Sequence, residues 1–298
     1  MKRLLTPKLD LVFKLLFTKD MEILIDLINS VQAPHDHRHI RSAEVLNPGI
    51  YPETIPRKLI ILDVRARDES GRQYDIEMQA RKYDTYPQRA LYYMSRMVAD
   101  QLSAGDDYGE LNPVIGIHFL DYEQFPDCED FHFHFELRDE SHPHLRLTED
   151  LCIHLFELPK FEKHLAGSEA ESDLTQWLHF FNHAHEQGEE NMIAQYTNPK
   201  IRKALAALEA LSADENIRLL AEEREKALKD EASALASARR EGERIGREEG
   251  EKLGREEGER IGRRKNAKSL LRMRVLTVEQ IAQATELSLE EVEALKEE

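Results

Sequence analysis

Residues 58–79, KLIILDVRARDESGRQYDIEMQ, decide how this chain folds. Two runs rich in β-branched and apolar residues, 58–67 and 74–78, flank the turn formers Asp68, Glu69, Ser70 and Gly71. That pattern predicts a β-hairpin. With Gly71 in the left-handed position of a three-residue loop, Asp68 pairs with Arg72. Counting outward, Arg67 faces Gln73, Arg65 faces Asp75, and Asp63 faces Glu77. Side chains alternate along a strand, so Asp63, Glu77 and Gln79 are expected on one face.

Like charges placed directly opposite each other repel, so a sheet gains no stability from Asp63 and Glu77 as a pair. A divalent cation between them removes the repulsion. Two carboxylates, a strand carbonyl and waters suit a hard, octahedral ion, Mg²⁺ or Mn²⁺. Asp63 and Glu77 are therefore the candidate metal ligands, and Asp63, Glu77 and Gln79 the candidate catalytic residues. The ion would polarise a phosphoryl oxygen and lower the pKa of a bound water, which Gln79 would orient. The competing reading is a surface hairpin whose charges are simply solvated.

Outward from the hairpin, apolar residues recur every three or four positions over 9–29 (Leu9, Phe13, Leu16, Phe17, Ile23, Leu24, Leu27, Ile28), which predicts one helix. Residues 44–50 suggest a short strand. Residues 89–102 read as a helix with Leu91, Met94, Val98 and Leu102 on one side, and 114–120, 131–137 and 151–158 as strands. Helix, strands, helix, strands is an α/β arrangement. The expected division is a core over 1–160, a helical extension over 161–230, a charged helix over 231–264 and a small helix-turn-helix-like unit over 265–298.

The charged helix carries glycines at 242, 246, 250, 254, 258 and 262. Each weakens a helix by about 1 kcal/mol relative to alanine, but a four-residue spacing draws them into a slowly winding ridge that another backbone can approach. The ridge predicts a homo-oligomer through the C-terminal helical region; a flexible charged linker is the alternative. In the last unit Thr277 and Ser288 read as helix caps. Its second helix carries Glu290, Glu291 and Glu293 where a major-groove reader needs Arg, Asn or Gln. Protein–protein or self-packing contacts suit it better than DNA.

The net charge of −17 counts against a simple nucleic-acid binder. Residues 57–96, however, hold nine Lys/Arg against six Asp/Glu, leaving a local basic window. Cys128 and Cys152 stand far apart, which fits a reducing cytoplasm and argues against a disulfide framework or thiolate metal site. No apolar run is long enough to span a membrane. The thirteen histidines show no HExxH pattern, and His132 and His134 alternate with phenylalanines, as on the wetter face of a strand. A zinc site is not expected from them.

Asp63 within IILDVRA, followed by YDIEMQ over 74–79, resembles the PD-(D/E)XK nuclease superfamily, and more closely the transposase-like Rpn group of recombination-promoting nucleases. Residues 10–17 (DLVFKLLF), 89–93 (RALYY) and 108–120 (YGELNPVIGIHFL) match that group too, so the resemblance covers about residues 4–200. It implies a restriction-endonuclease-like core, a mixed central sheet flanked by helices, followed by a helical C-terminal extension. It also implies a bacterial, cytoplasmic, nucleoid-associated endonuclease acting on double-stranded DNA, with Asp63 and Glu77 as ligands. Position 79 is Gln where the superfamily motif has Lys. Lys14 on the first helix could supply the missing charge if that helix packs on the hairpin. Asp10, Lys82, Arg89 and Tyr92, with Tyr83, are the further accessory or DNA-contacting candidates. The rival reading is a catalytically weak DNA-binding or assembly protein that keeps the fold.

Overall fold

The turn closes as its residues dictate, and the sheet is built around it. The computed structural model describes residues 3–34, 38–46, 64–165, 172–186 and 196–297. Its strands are β1 (Ala43–Val45), β2 (Val64–Asp68), β3 (Gln73–Gln79), β4 (Val114–Leu120), β5 (His132–Glu136) and β6 (Leu151–Glu157). They form one mixed sheet in the order β1-β2-β3-β4-β6-β5. β3/β4 and β4/β6 pair in parallel, and the outer pairs are antiparallel. The hairpin register is the expected one, with Arg65 opposite Asp75 and Arg67 opposite Gln73.

Asp68 fixes that register. Its carboxylate accepts from the Ser70 N–H (2.8 Å), Ser70 Oγ (2.7 Å), the Arg72 N–H (3.1 Å), Arg72 Nε (2.7 Å) and Tyr74 Oη (2.9 Å). Burial opposes its charge, but these donors from Ser70, Tyr74 and Arg72 outweigh burial and hold the carboxyl below its ordinary pKa. Gly71 sits at φ +93°, in the left-handed region that favours glycine, and a Cβ there would also crowd the Asn112 side chain.

The helices of the first unit are α1 (Asp10–Lys19), α2 (Met21–Gln32), α3 (Tyr86–Ala99), α4 (Leu158–Leu165), α5 (Asp173–His183) and α6 (Pro199–Ala213). The single helix expected over 9–29 is instead two. Asp20 takes extended backbone and its side chain accepts from the Glu22 N–H, capping α2 and stopping α1. On one sheet face Phe13 and Phe17 pack with Phe119, Trp177 and Phe181, ring centroids 4.7–6.2 Å apart. Residues beyond 160 thus complete the core. On the other face α3 buries Tyr86, Ala90, Met94 and Met97, while Leu91, expected inside, is 60% exposed. The helix starts earlier than expected, and Gly116 lets it approach: a Cβ there would lie 2.9 Å from Met94 Sδ.

The chain divides into two compact units, Met1–Glu225 and Lys226–Glu298. α7 (Glu215–Met273) is helical throughout, glycine repeat included. Within the second unit α8 (Val278–Thr285) and α9 (Leu289–Glu297) pack Ile281, Leu287, Val292 and Leu295 around Ala267. The expected caps are present: Thr277 accepts from the Gln280 N–H and Ser288 from the Glu291 N–H. Among the described residues no helix is long and apolar enough to cross a membrane.

Asp68→Asn removes the carboxylate that pairs with the buried Arg72 guanidinium and accepts from Ser70 and Tyr74, and is expected to destabilise the protein by about 3 kcal/mol, read as a lower urea midpoint at unchanged slope. Because the folded pKa is depressed, wild-type stability from Asp68 is present above the unfolded value of about 3.9 and lost as pH falls through the folded one. Acid titration should therefore bring the two proteins together; a constant gap down to pH 2 would contradict this.

Candidate active site

The β3 alternation delivers Gln73, Asp75, Glu77 and Gln79 to the face covered by α3, and the parallel register sets His118 of β4 beside Glu77. Asp75, Glu77 and His118 are all buried, and one ligand atom from each lies within 4.8 Å of the others. Both Asp75 oxygens are buried without a hydrogen bond among the described residues. The nearest cationic groups among the described residues are His118 Nε2 at 3.8 Å and Arg65 Nε at 4.0 Å. A buried carboxylate in that state demands positive charge beside it.

His118 supplies part of that charge. Burial opposes its protonation, but the Glu77 and Asp75 carboxylates outweigh burial and raise its pKa above the ordinary value. Tyr86 Oη contacts His118 Nδ1 at 2.7 Å and aims the ring's other nitrogen toward Asp75. Burial, reinforced by Glu77, pushes the Tyr86 hydroxyl pKa up, so it stays a phenol.

Gln79 is tied at both ends. Its Nε2 donates to Glu77 Oε2 (2.7 Å), and its Oε1 accepts from Arg89 Nη2 (2.7 Å), which fixes the amide orientation. The Arg89 guanidinium lies 5.6 Å from the centre of the Tyr83 ring. Glu77, Gln79 and Arg89 form a continuous chain from the sheet to α3.

Of the other residues expected at the site, Asp63 lies outside the described residues. Lys14 is buried on α1, which packs against β2 and β3. Asp10 pairs with Arg224, whose Nε lies 2.9 Å away. Lys82 donates to the Glu123 carbonyl (2.9 Å), and Tyr92 is 61% exposed beside Tyr93. Sequence reasoning missed Asp75, Tyr86 and His118. Asp75 was signalled by its two-residue spacing from Glu77, and His118 by its polarity inside the apolar run VIGIHFL.

A family model described as PD-(D/E)XK nuclease family transposase matches residues 7–238. The resemblance carried by the hairpin and its flanking segments thus holds across most of the chain. In the same comparisons no curated protein and no solved structure matched.

The raised His118 pKa has a consequence in EDTA. Its contribution to stability is full below the unfolded histidine value of about 6.5 and is lost as pH climbs through the folded value. The wild-type melting temperature should fall over that interval, and His118→Gln should flatten the fall. Parallel curves for the two proteins would remove His118 from the site's charge balance.

Proposed function

Because the chain belongs to the PD-(D/E)XK nuclease family transposases, we propose that it is a metal-dependent endonuclease that hydrolyses phosphodiester bonds in double-stranded DNA, promoting recombination or acting in mobile-element or phage conflict. The observation that carries this reading is the buried Asp75–Glu77–His118 cluster, with no hydrogen bond to Asp75 among the described residues. Such a cluster fits a divalent cation. Glu77, with Asp63, offers oxygen donors suited to Mg²⁺, and a nitrogen from His118 shifts the preference toward Mn²⁺. When bound, the ion supplies Lewis-acid polarisation and neutralises charge building on the leaving oxygen.

The chain's own residues divide the remaining work. Glu77 and Asp63 would hold the ion, and His118 would release its proton to solvent when the ion is bound. Gln79, held between Glu77 and Arg89, orients the attacking water. Arg89 provides the positive charge that the superfamily's lysine provides elsewhere, reaching the scissile phosphate from α3. Lys82 and Tyr92 line the path of the DNA backbone.

The glycine ridge supports a further part of the proposal, assembly through the C-terminal helical region. A Cβ added at any of the six positions from Gly242 to Gly262 would meet nothing within 4 Å in this chain. Light scattering on the full-length protein should give a mass above one chain; a clean monomer at micromolar concentration would remove this part alone.

Supercoiled plasmid tests the activity. Cleavage should require Mg²⁺ or Mn²⁺ and fall by at least about 100-fold in Asp63→Ala, Glu77→Ala and Arg89→Ala, while Gln79→Lys keeps activity. The hypothesis is falsified if Asp63→Ala and Glu77→Ala both cut at the wild-type rate. A wild-type protein that retards DNA without cutting it would instead be a binding protein that keeps the nuclease fold.

A further inference from the structure

On the opposite face of the sheet, β5 and β6 bring together three more ligand-bearing side chains. The antiparallel register sets His134 directly opposite His154, and Glu136 opposite Cys152. Cys152 and His154 are two residues apart on one strand, so they point to the same side as His134. One ligand atom from each of His134, Cys152 and His154 lies within 4.8 Å of the others. The two imidazoles are stacked with centroids 4.2 Å apart and planes within 7°. His132 Nε2 contacts His154 Nδ1 at 3.1 Å.

These residues line a cavity of about 440 Å³ that also receives Arg72, Arg138 and Arg146. His154 is buried, whereas His134 and Cys152 are half-buried and reachable from the cavity. The sequence pattern had suggested that the histidines of FHFHFE take the wetter face of their strand. In the structure Phe135 is 44% exposed and the histidines lie against β6.

We propose that His134, Cys152 and His154 form a second metal site, specific for a borderline-soft divalent cation such as Zn²⁺ and separate from the acidic site beneath α3. The donor set decides the metal. Burial, reinforced by Glu136, raises the Cys152 thiol pKa to about 11, so it would release its proton to solvent on binding; the resulting thiolate and two imidazoles are soft to borderline ligands that suit zinc and discriminate against Mg²⁺. Tetrahedral zinc, with bonds of about 2.0–2.1 Å to nitrogen and about 2.3 Å to sulfur, brings donors to roughly 3.3–3.6 Å apart. The ligand atoms lie within 4.8 Å of one another, and binding requires the half-buried His134 ring to turn out of its near-parallel stack on the buried His154 ring so that both lone pairs converge on the ion. Three protein ligands leave a fourth position, and it faces the cavity. An open zinc position takes water or an anionic ligand; Arg138 and Arg146 line the same cavity together with Glu136, Glu149 and Asp150. Both arginines are anchored on Glu136, Arg146 Nη2 at 2.9 Å, so they stand fixed at the cavity wall. His132, in contact with His154, orients that ring as outer-shell partners of metal-bound histidines do.

The test uses the full-length protein stripped with EDTA and titrated with Co²⁺, then Zn²⁺. Wild type should develop a near-ultraviolet thiolate-to-cobalt charge-transfer band that Co²⁺ at the acidic site cannot give, and Zn²⁺ should abolish the band by displacement. Cys152→Ser should lose the band, and His134→Asn should weaken Zn²⁺ binding by at least the roughly 10- to 100-fold that even outer-shell partners contribute. His134 is half-buried at the surface of its strand, so that variant keeps the fold if Cys152→Ser does not. Glu77→Gln, on the other face of the sheet, should keep the band. Absence of the band in wild type, its survival in Cys152→Ser, or its loss in Glu77→Gln would overturn the proposal.

Discussion

Everything at the acidic site depends on one buried carboxylate that does no chemistry. Asp68 gathers donors from Ser70, Arg72 and Tyr74 and so locks the turn between β2 and β3. Strand side chains have a period of two, so a slip of one residue would carry Asp75, Glu77 and Gln79 to the wrong face. The cost of desolvating Asp68 is offset by its donors, and the hairpin gains a single register. From that register the remaining geometry follows: β4 pairs in parallel with β3, His118 lands beside Glu77, and Gly116 makes room for α3 above them.

Where local chemistry decides, the sequence was legible. Gly71 and the turn formers dictated the hairpin and its pairing, and Thr277 and Ser288 announced their caps. Periodicity alone was a poorer guide to continuity. The apolar repeat runs unbroken past Asp20, yet an aspartate that can cap the next helix ends the first one. The acidic site was legible only in part, because half of it comes from pairings of long sequence separation. Glu77 and Gln79 could be read from the hairpin, whereas His118 reaches them only through a parallel pairing that no local signal fixes. The Arg89–Gln79 bond likewise depends on how α3 docks, and the buried stripe of α3 runs through Ala90 rather than Leu91.

The substitution of Gln for the superfamily lysine takes a physical form here. A lysine at position 79 of β3 would place its ammonium beside the Glu77 carboxylate, which in the proposed function also holds a metal ion. In this chain the strand presents a neutral amide and the cation resides on α3, joined to the amide by one hydrogen bond. Charge and orientation are thereby assigned to two residues on two elements. Arginine also keeps its charge in any surroundings, which a buried lysine does not.

The two parallel pairings at the centre of the sheet also bear on how the protein is born. Neither can form by a hairpin; each must wait for a long crossover to leave the ribosome. Glu77 meets His118 only once β4 has emerged, and β4 is covered on its other side by Phe181, synthesised some sixty residues later. The acidic site is therefore among the last parts of its unit to assemble. A nascent or prematurely ended chain can hold the whole hairpin and still lack the surroundings that give its acidic residues their charge balance.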